Sequence, residues 1–149
     1  MIYFQVSDDM LGEAALNLPF QSDATGKLML RLTVGVLMLF HGIHKVINPD
    51  SLEFISRQLV GIDLPQVLAY GVYLGEIVAP LMVIFGIFSR LGGLVIFGNM
   101  IFAIVLAHRN QFFSLTDHGG LTLELQLFFL LTGLAVFLLG SGRIAIKPD

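Results

Sequence analysis

The chain has 149 residues, of which 56% are hydrophobic and 13% charged, with a mean hydropathy of +0.86. Soluble domains carry roughly 45–50% apolar and about 25% charged residues, so this composition argues for a polytopic membrane protein. Eight Lys and Arg against eleven Asp and Glu give a net charge of −3, which excludes a basic nucleic-acid-binding surface, and the absence of cysteine excludes disulfides, thiolate-held zinc or iron–sulfur clusters and thiol chemistry.

Residues 1–27 read as a polar N-terminal extension. Asp8, Asp9, Glu13 and Asp23 interrupt it, and no basic stretch leads directly into an apolar run, so it lacks the form of a signal peptide. Part of it, Met10–Leu18, is expected to be helical. Four apolar stretches follow: Leu28–Ile47, Val67–Phe88, Leu91–Ala107 and Leu121–Leu139. Crossing about 30 Å of hydrocarbon takes roughly 20 helical residues. Backbone groups in lipid must be paired within the segment, and the alternation of a barrel strand is missing, so each stretch is predicted to be a helix. The fold class is therefore all-α, a bundle of four transmembrane helices.

Two longer connections join these spans. In the first, residues 48–65, Leu52, Ile55, Leu59 and Ile62 recur at helical spacing behind the turn and N-cap signal Asn48-Pro49-Asp50-Ser51. A short interfacial or re-entrant helix is expected there. The second connection, residues 108–120, ends in Asp117-His118-Gly119-Gly120 and reads as a solvated loop. With four spans, Lys27, Arg31, Arg90, Arg143 and Lys147 share the side of both termini, and Lys45, Arg57 and Arg109 occupy the other. Five basic residues against three place both termini in the cytoplasm.

Ionisable residues inside a membrane are costly and are functional candidates by default. At 1.5 Å per residue, His41 lies roughly 20 Å along the first span and Glu76 roughly 18 Å along the second. Asn99 comes out at roughly 12 Å along the third, and His44, Lys45, His108 and Glu124 all near 24–26 Å. His41, His44 and Lys45 are spaced i, i+3, i+4 and share one helical face, lining a cavity or anchoring the helix at the head groups. Glu76 is the most informative position. A carboxylate at mid-span must be paired, hydrogen-bonded or protonated. Pro80 leaves the Glu76 carbonyl without its usual helical donor, so the backbone opens at the carboxylate. Glu76 either handles a ligand or protons, or locks the bundle through an ion pair, for example with His41.

Asn99 suits an interhelical hydrogen bond or a ligand contact. Glu124 either complements the dipole of the fourth helix or joins Lys45 and His108 in a paired network. His41 and His108 are the histidines that two-histidine haem ligation would use, but no haem-attachment motif accompanies them. The Glu-x-x-His pattern of di-iron sites is absent too. No metal site is assigned.

These motifs together resemble the DoxX family of small bacterial inner-membrane proteins. They are Phe40-His41-Gly42-Ile43-His44-Lys45 closing the first span, Gly75-Glu76 within the second and His108 closing the third. The fourth span then runs into Gly140-Ser141-Gly142-Arg143-Ile144-Ala145-Ile146. The family commonly has Pro where Ser141 stands. The resemblance covers roughly residues 26–149, making 28–149 a DoxX-like membrane domain. It implies four helices with both termini cytoplasmic. The family takes its name from the membrane subunit of an archaeal thiosulfate:quinone oxidoreductase, and some bacterial relatives are associated with detoxifying enzymes and thiol stress.

Two functional expectations follow. In the first, the chain is the quinone-interacting membrane subunit of a redox system, with Glu76 and His41 in proton transfer and His44, Lys45, Asn99, His108 and Glu124 as ligand contacts. With no cysteine, haem motif or flavin-binding Gly-rich fold in the sequence, the electron donor is then a partner enzyme. In the second, the chain is a non-catalytic membrane scaffold or small-molecule binder whose buried polar residues specify helix packing. A transporter would need a homo-oligomer, for which the Gly71/Gly75 and Gly92-Gly93 surfaces are candidates, although they suit packing within one bundle equally well.

Overall fold

A computed structural model describes residues 22–109 and 111–149. The expected helix at Met10–Leu18 lies outside them. The described residues are all-helical apart from turns and two isolated bridges. The first helix, α1 (Asp23–Ile47), starts five residues before the apolar stretch. Ser22 Oγ accepts the Thr25 N–H at 3.2 Å, and Asp23 in the first turn pairs with Lys27 at 2.8 Å. At its far end both the backbone N–H and the Nδ2 of Asn48 donate to the His44 carbonyl at 2.9 Å. Pro49 then opens α2 (Pro49–Val60), the short helix expected from the spacing, whose Leu59 is fully buried.

The second span, α3 (Gln66–Phe85), is composite. A 3₁₀ segment Gln66–Tyr70 and one α turn Gly71–Tyr73 lead into a π-helical segment Leu74–Val78, and α geometry resumes at Ala79–Phe85. Proline has no N–H, and its ring crowds the carbonyl four residues back. The helix accommodates Pro80 by widening just before it, so that Ala79 N–H reaches the Leu74 carbonyl. The expected opening at Glu76 is thus a π bulge with Glu76 in its middle. The helix stops at Phe85 rather than Phe88. Gly86 at φ 68° forms a Schellman cap, with Gly86 N–H on Val83 O and Ile87 N–H on Met82 O.

Next come α4 (Ser89–Ala107) and α5 (Glu124–Leu139). Three helices, α1, α3 and α4, are long and apolar enough to cross a membrane. The fourth expected span is an apolar helix of 16 residues, about 24 Å long. Leu121 bridges to Leu115, and Thr122 and Leu123 form a turn before it instead of extending it.

The helices pack antiparallel in chain order around Val34, Met38, Ala79, Val83, Ile96, Met100, Phe129 and Val136. Glycines set the close approaches. A Cβ on Gly93 would lie 2.6 Å from Gly133 O, so α4 and α5 meet backbone to backbone. Gly75, Gly92 and Gly93 are therefore used within the bundle, and only Gly71 of the two candidate oligomer surfaces is open.

Residues 140–149 fold back over the end where α1 begins. Ile146 and Lys147 N–H groups reach Phe85 O and Gly86 O at 3.1 and 3.0 Å. Arg31, 1% exposed, is the hub: its guanidinium donates to the carbonyls of Val83, Ile84, Ser141 and Ile144 at 2.6–3.0 Å.

Candidate functional site

The opposite half of the bundle is hollow. A cavity of about 490 Å³ lies between α1, α3, α4 and α5, with α2 across its mouth. Met38, Phe54, Met100, Phe102 and Phe129 give it apolar walls, and His41, Lys45, Glu76, Asn99, His108 and Gln126, with Asp50 and Ser51 at the mouth, are its polar lining. Five of the seven residues singled out in the sequence thus come together from three helices.

Glu76 sits in the π bulge, its side chain 6% exposed, and forms an ion pair with Lys45 Nζ. The partner is Lys45, not the His41 considered from depth alone. Both lie on one face of α1, but the longer lysine stem reaches down from the level above. Tyr73 Oη adds a bond to the Lys45 carbonyl at 3.4 Å, and Gly42 lets the α1 backbone lie against the Glu76 peptide. His41 stands edge-on to Phe129, with ring centroids 5.5 Å apart.

Asn99 occupies the space left by the missing side chain of Gly75. The interhelical hydrogen bond expected of it is not formed: among the described residues its buried Nδ2 has no partner. A buried amide without a partner costs about 1–3 kcal/mol and calls for an explanation. His108, just past the end of α4, holds Gln111 Oε1 at 2.9 Å through Nδ1 and meets Gln126 Nε2 at 3.5 Å through Nε2. That pattern assigns the proton to Nδ1 and leaves Nε2 as acceptor. Gln126 Oε1 is buried and, among the described residues, unpartnered.

Two expected contacts do not join the cavity. His44 is exposed beside it, its carbonyl engaged by Asn48. Glu124 is exposed, and its Oε1 accepts the Leu121 N–H at 3.0 Å, closing the turn into α5. Neither the network of Glu124 with Lys45 nor that with His108 is present. Conversely, Gln126 and, at the mouth, Asp50 line the cavity without having been singled out. Gln126 was detectable: it shares a stripe with Phe129, Gly133 and Val136, the inward face of α5. Asp50 carries no such signal, because the same residue serves equally as a helix-start residue.

Residues 26–109 match the DoxX family model, more than half of the chain. The chain belongs to the DoxX family. The matched segment runs from the first turn of α1 through α4 and holds His41, Lys45, Glu76, Asn99 and His108, whereas the α5 wall of the cavity lies beyond it. The Bacillus subtilis (strain 168) protein named "Putative oxidoreductase CatD" is 28% identical over 123 residues, covering 83% of this chain and 85% of its own. No solved structure matches.

Proposed function

We propose that this DoxX protein is the quinone-binding membrane subunit of a redox system, set in a bacterial inner membrane with α5 as a fourth span and both termini cytoplasmic. The observation that carries this reading is the buried Asn99 Nδ2, without a partner among the described residues, beside the Lys45–Glu76 pair in a cavity that joins polar groups to apolar walls. Its volume lies within the range of about 300–1,000 Å³ usual for small-molecule sites. A quinone head group is flat and apolar and carries two carbonyl acceptors, so it matches donors set into apolar walls. Quinone binding on this reading turns the Asn99 amide out of the space above Gly75 and toward the cavity, which His41 already lines. Glu76 and His41 relay the protons that quinone reduction consumes, taking them from the Lys45 ammonium or from water. The electron donor is a partner protein, since the sequence carries no motif for one. The name of the Bacillus relative points toward the same class of chemistry.

The test is mass spectrometry of an organic extract of the purified chain, beside a His41→Ala/Glu76→Ala variant and an Asn99→Leu variant. Near-stoichiometric quinone in the wild type, lost in both variants, is the expected result. The ion pair that ties α1 to α3 favours a second reading, a scaffold whose buried polar residues specify packing. No retained molecule in any sample, with folding lost only on breaking the pair, selects it.

A further inference from the structure

Three cations lie at the end of the bundle where α1 and α4 finish. Lys45 is paired with Glu76, and Arg57 with Glu53 at 3.3 Å. Arg109 has no ion-pair or hydrogen-bond partner among the described residues. It stands two residues past the end of α4 on the rim of a second cavity, about 400 Å³, between the C-terminal ends of α2 and α4. The other side chains that line this groove are Gln58, which is half-buried, and Ile62, Val105, Leu106 and Phe112. Ile62, Val105 and Phe112 are 46%, 59% and 47% exposed, so the apolar part of the groove opens outward rather than into the core.

Depth and chemistry combine here. The 19 residues of α4 span about 28 Å, close to the hydrocarbon thickness, so Arg109 falls at the level of the head groups. A cation at that level is matched by lipid phosphate, with about 1 kcal/mol for each Lys or Arg near an anionic surface. Val105 and Leu106, about one turn back along α4 toward the hydrocarbon, offer an acyl chain apolar surface, and Ile62 and Phe112 border the groove from the flanking turns. One guanidinium and one amide above an apolar trough form a surface complementary to an anionic head with an apolar body.

We propose that this groove is a binding site for one anionic phospholipid, with Arg109 and Gln58 on the phosphate and Val105, Ile62 and Phe112 along the acyl chain. The site is separate from the quinone cavity, and its occupant is held whether or not that cavity binds quinone.

The experiment is native mass spectrometry of the full chain released from nanodiscs containing phosphatidylglycerol and phosphatidylcholine. The wild type retains one phosphatidylglycerol in preference to phosphatidylcholine. Arg109→Gln lowers that retention about fivefold, the equivalent of one head-group cation. Arg57→Gln, which removes an exposed cation that does not line the groove, lowers it by a smaller factor. Gln58→Leu lowers it by a smaller factor and serves as the second variant if Arg109→Gln folds poorly. Equal retention in Arg109→Gln, equal retention of the two lipids, or an equal loss in Arg57→Gln overturns the proposal. Full displacement of the lipid by millimolar inorganic phosphate also overturns it, because a free anion would then suffice without the apolar trough.

Discussion

The two ends of this bundle each bury a charged side chain, and they treat it in opposite ways. Where α1 begins, Arg31 is enclosed and bonded to four backbone carbonyls of α3 and the tail. Among the described buried side-chain atoms there, only Ser89 Oγ lacks a partner. Where α1 ends, Glu76 has the Lys45 ammonium as its ion-pair partner, Asn99 and Gln126 each carry an unpartnered atom, and about 490 Å³ stands open beside them. A charge inside a membrane protein is therefore not in itself a functional signal. What distinguishes the two ends is whether the polar neighbourhood of the charge is satisfied.

The sharpest way to break this comparison is at the closed end. Arg31→Met strips the donors from the tail carbonyls and is expected to cost about 4 kcal/mol, read as a fall in melting temperature in detergent with early proteolysis of residues 140–149. Unchanged stability would mean that the hub is not structural. At the open end, Lys45→Met leaves a buried carboxylate alone and is expected to cost about 3 kcal/mol. Glu76→Gln keeps an acceptor for Lys45 and is expected to cost about 1 kcal/mol. The double change Lys45→Met/Glu76→Leu recovers most of the stability while abolishing ligand retention. If Glu76→Gln proves the more damaging of the two single changes, Glu76 is a strut after all.

The same contrast explains what could be read from the residues alone. Apolar runs located the helices, because lipid leaves the backbone one solution, and Pro80 foretold the distortion at Glu76 because a missing N–H acts locally. Helical rise assigns each polar residue a depth, which brings His41 near Glu76 and Lys45 near His108, but it also sets His44 and Glu124 level with Lys45 and leaves Asn99 lower, so depth alone does not select the five that line the cavity. What depth cannot supply is reach. The choice of Lys45 over His41 depends on a four-carbon stem, and the isolation of Asn99 on the small space above Gly75. Arg31 registered only as a charge for orientation, since its acceptors are 52 to 113 residues away in sequence. Glu124 matched its neighbours in level, yet it is turned to its own first turn.

A smaller effect tests the open end without breaking it. Asn99→Leu replaces a partnerless amide with an apolar group of similar size. It is expected to be neutral or to stabilise the chain by up to about 1 kcal/mol, while quinone retention falls about tenfold, the loss of one hydrogen bond to the ligand. Destabilisation with unchanged retention would assign Asn99 to packing and close the contrast between the two ends.

The smallest expected effect lies in the tail. The Asp149 carboxylate accepts the N–H groups of Arg90 and Ser141 at 2.9 and 3.0 Å. Partial burial pushes its titration up, but these bonds and the Arg90 charge outweigh that and hold it below the ordinary aspartate value. A carboxyl depressed in the folded state stabilises above its unfolded value, and that contribution is lost as pH falls through the folded one. Because the residue is exposed, the effect is expected to stay under about 1 kcal/mol. Limited proteolysis of the tail should therefore accelerate modestly from pH 7 to pH 3 in the wild type, and Asp149→Asn should remove that dependence. The Arg31 bonds do not titrate over this range, so the tail should loosen at its tip while its anchor at Ser141 and Ile144 holds. Complete release at pH 3 would place the main attachment at Asp149, and the closed end would then owe its closure to a surface contact rather than to its buried guanidinium.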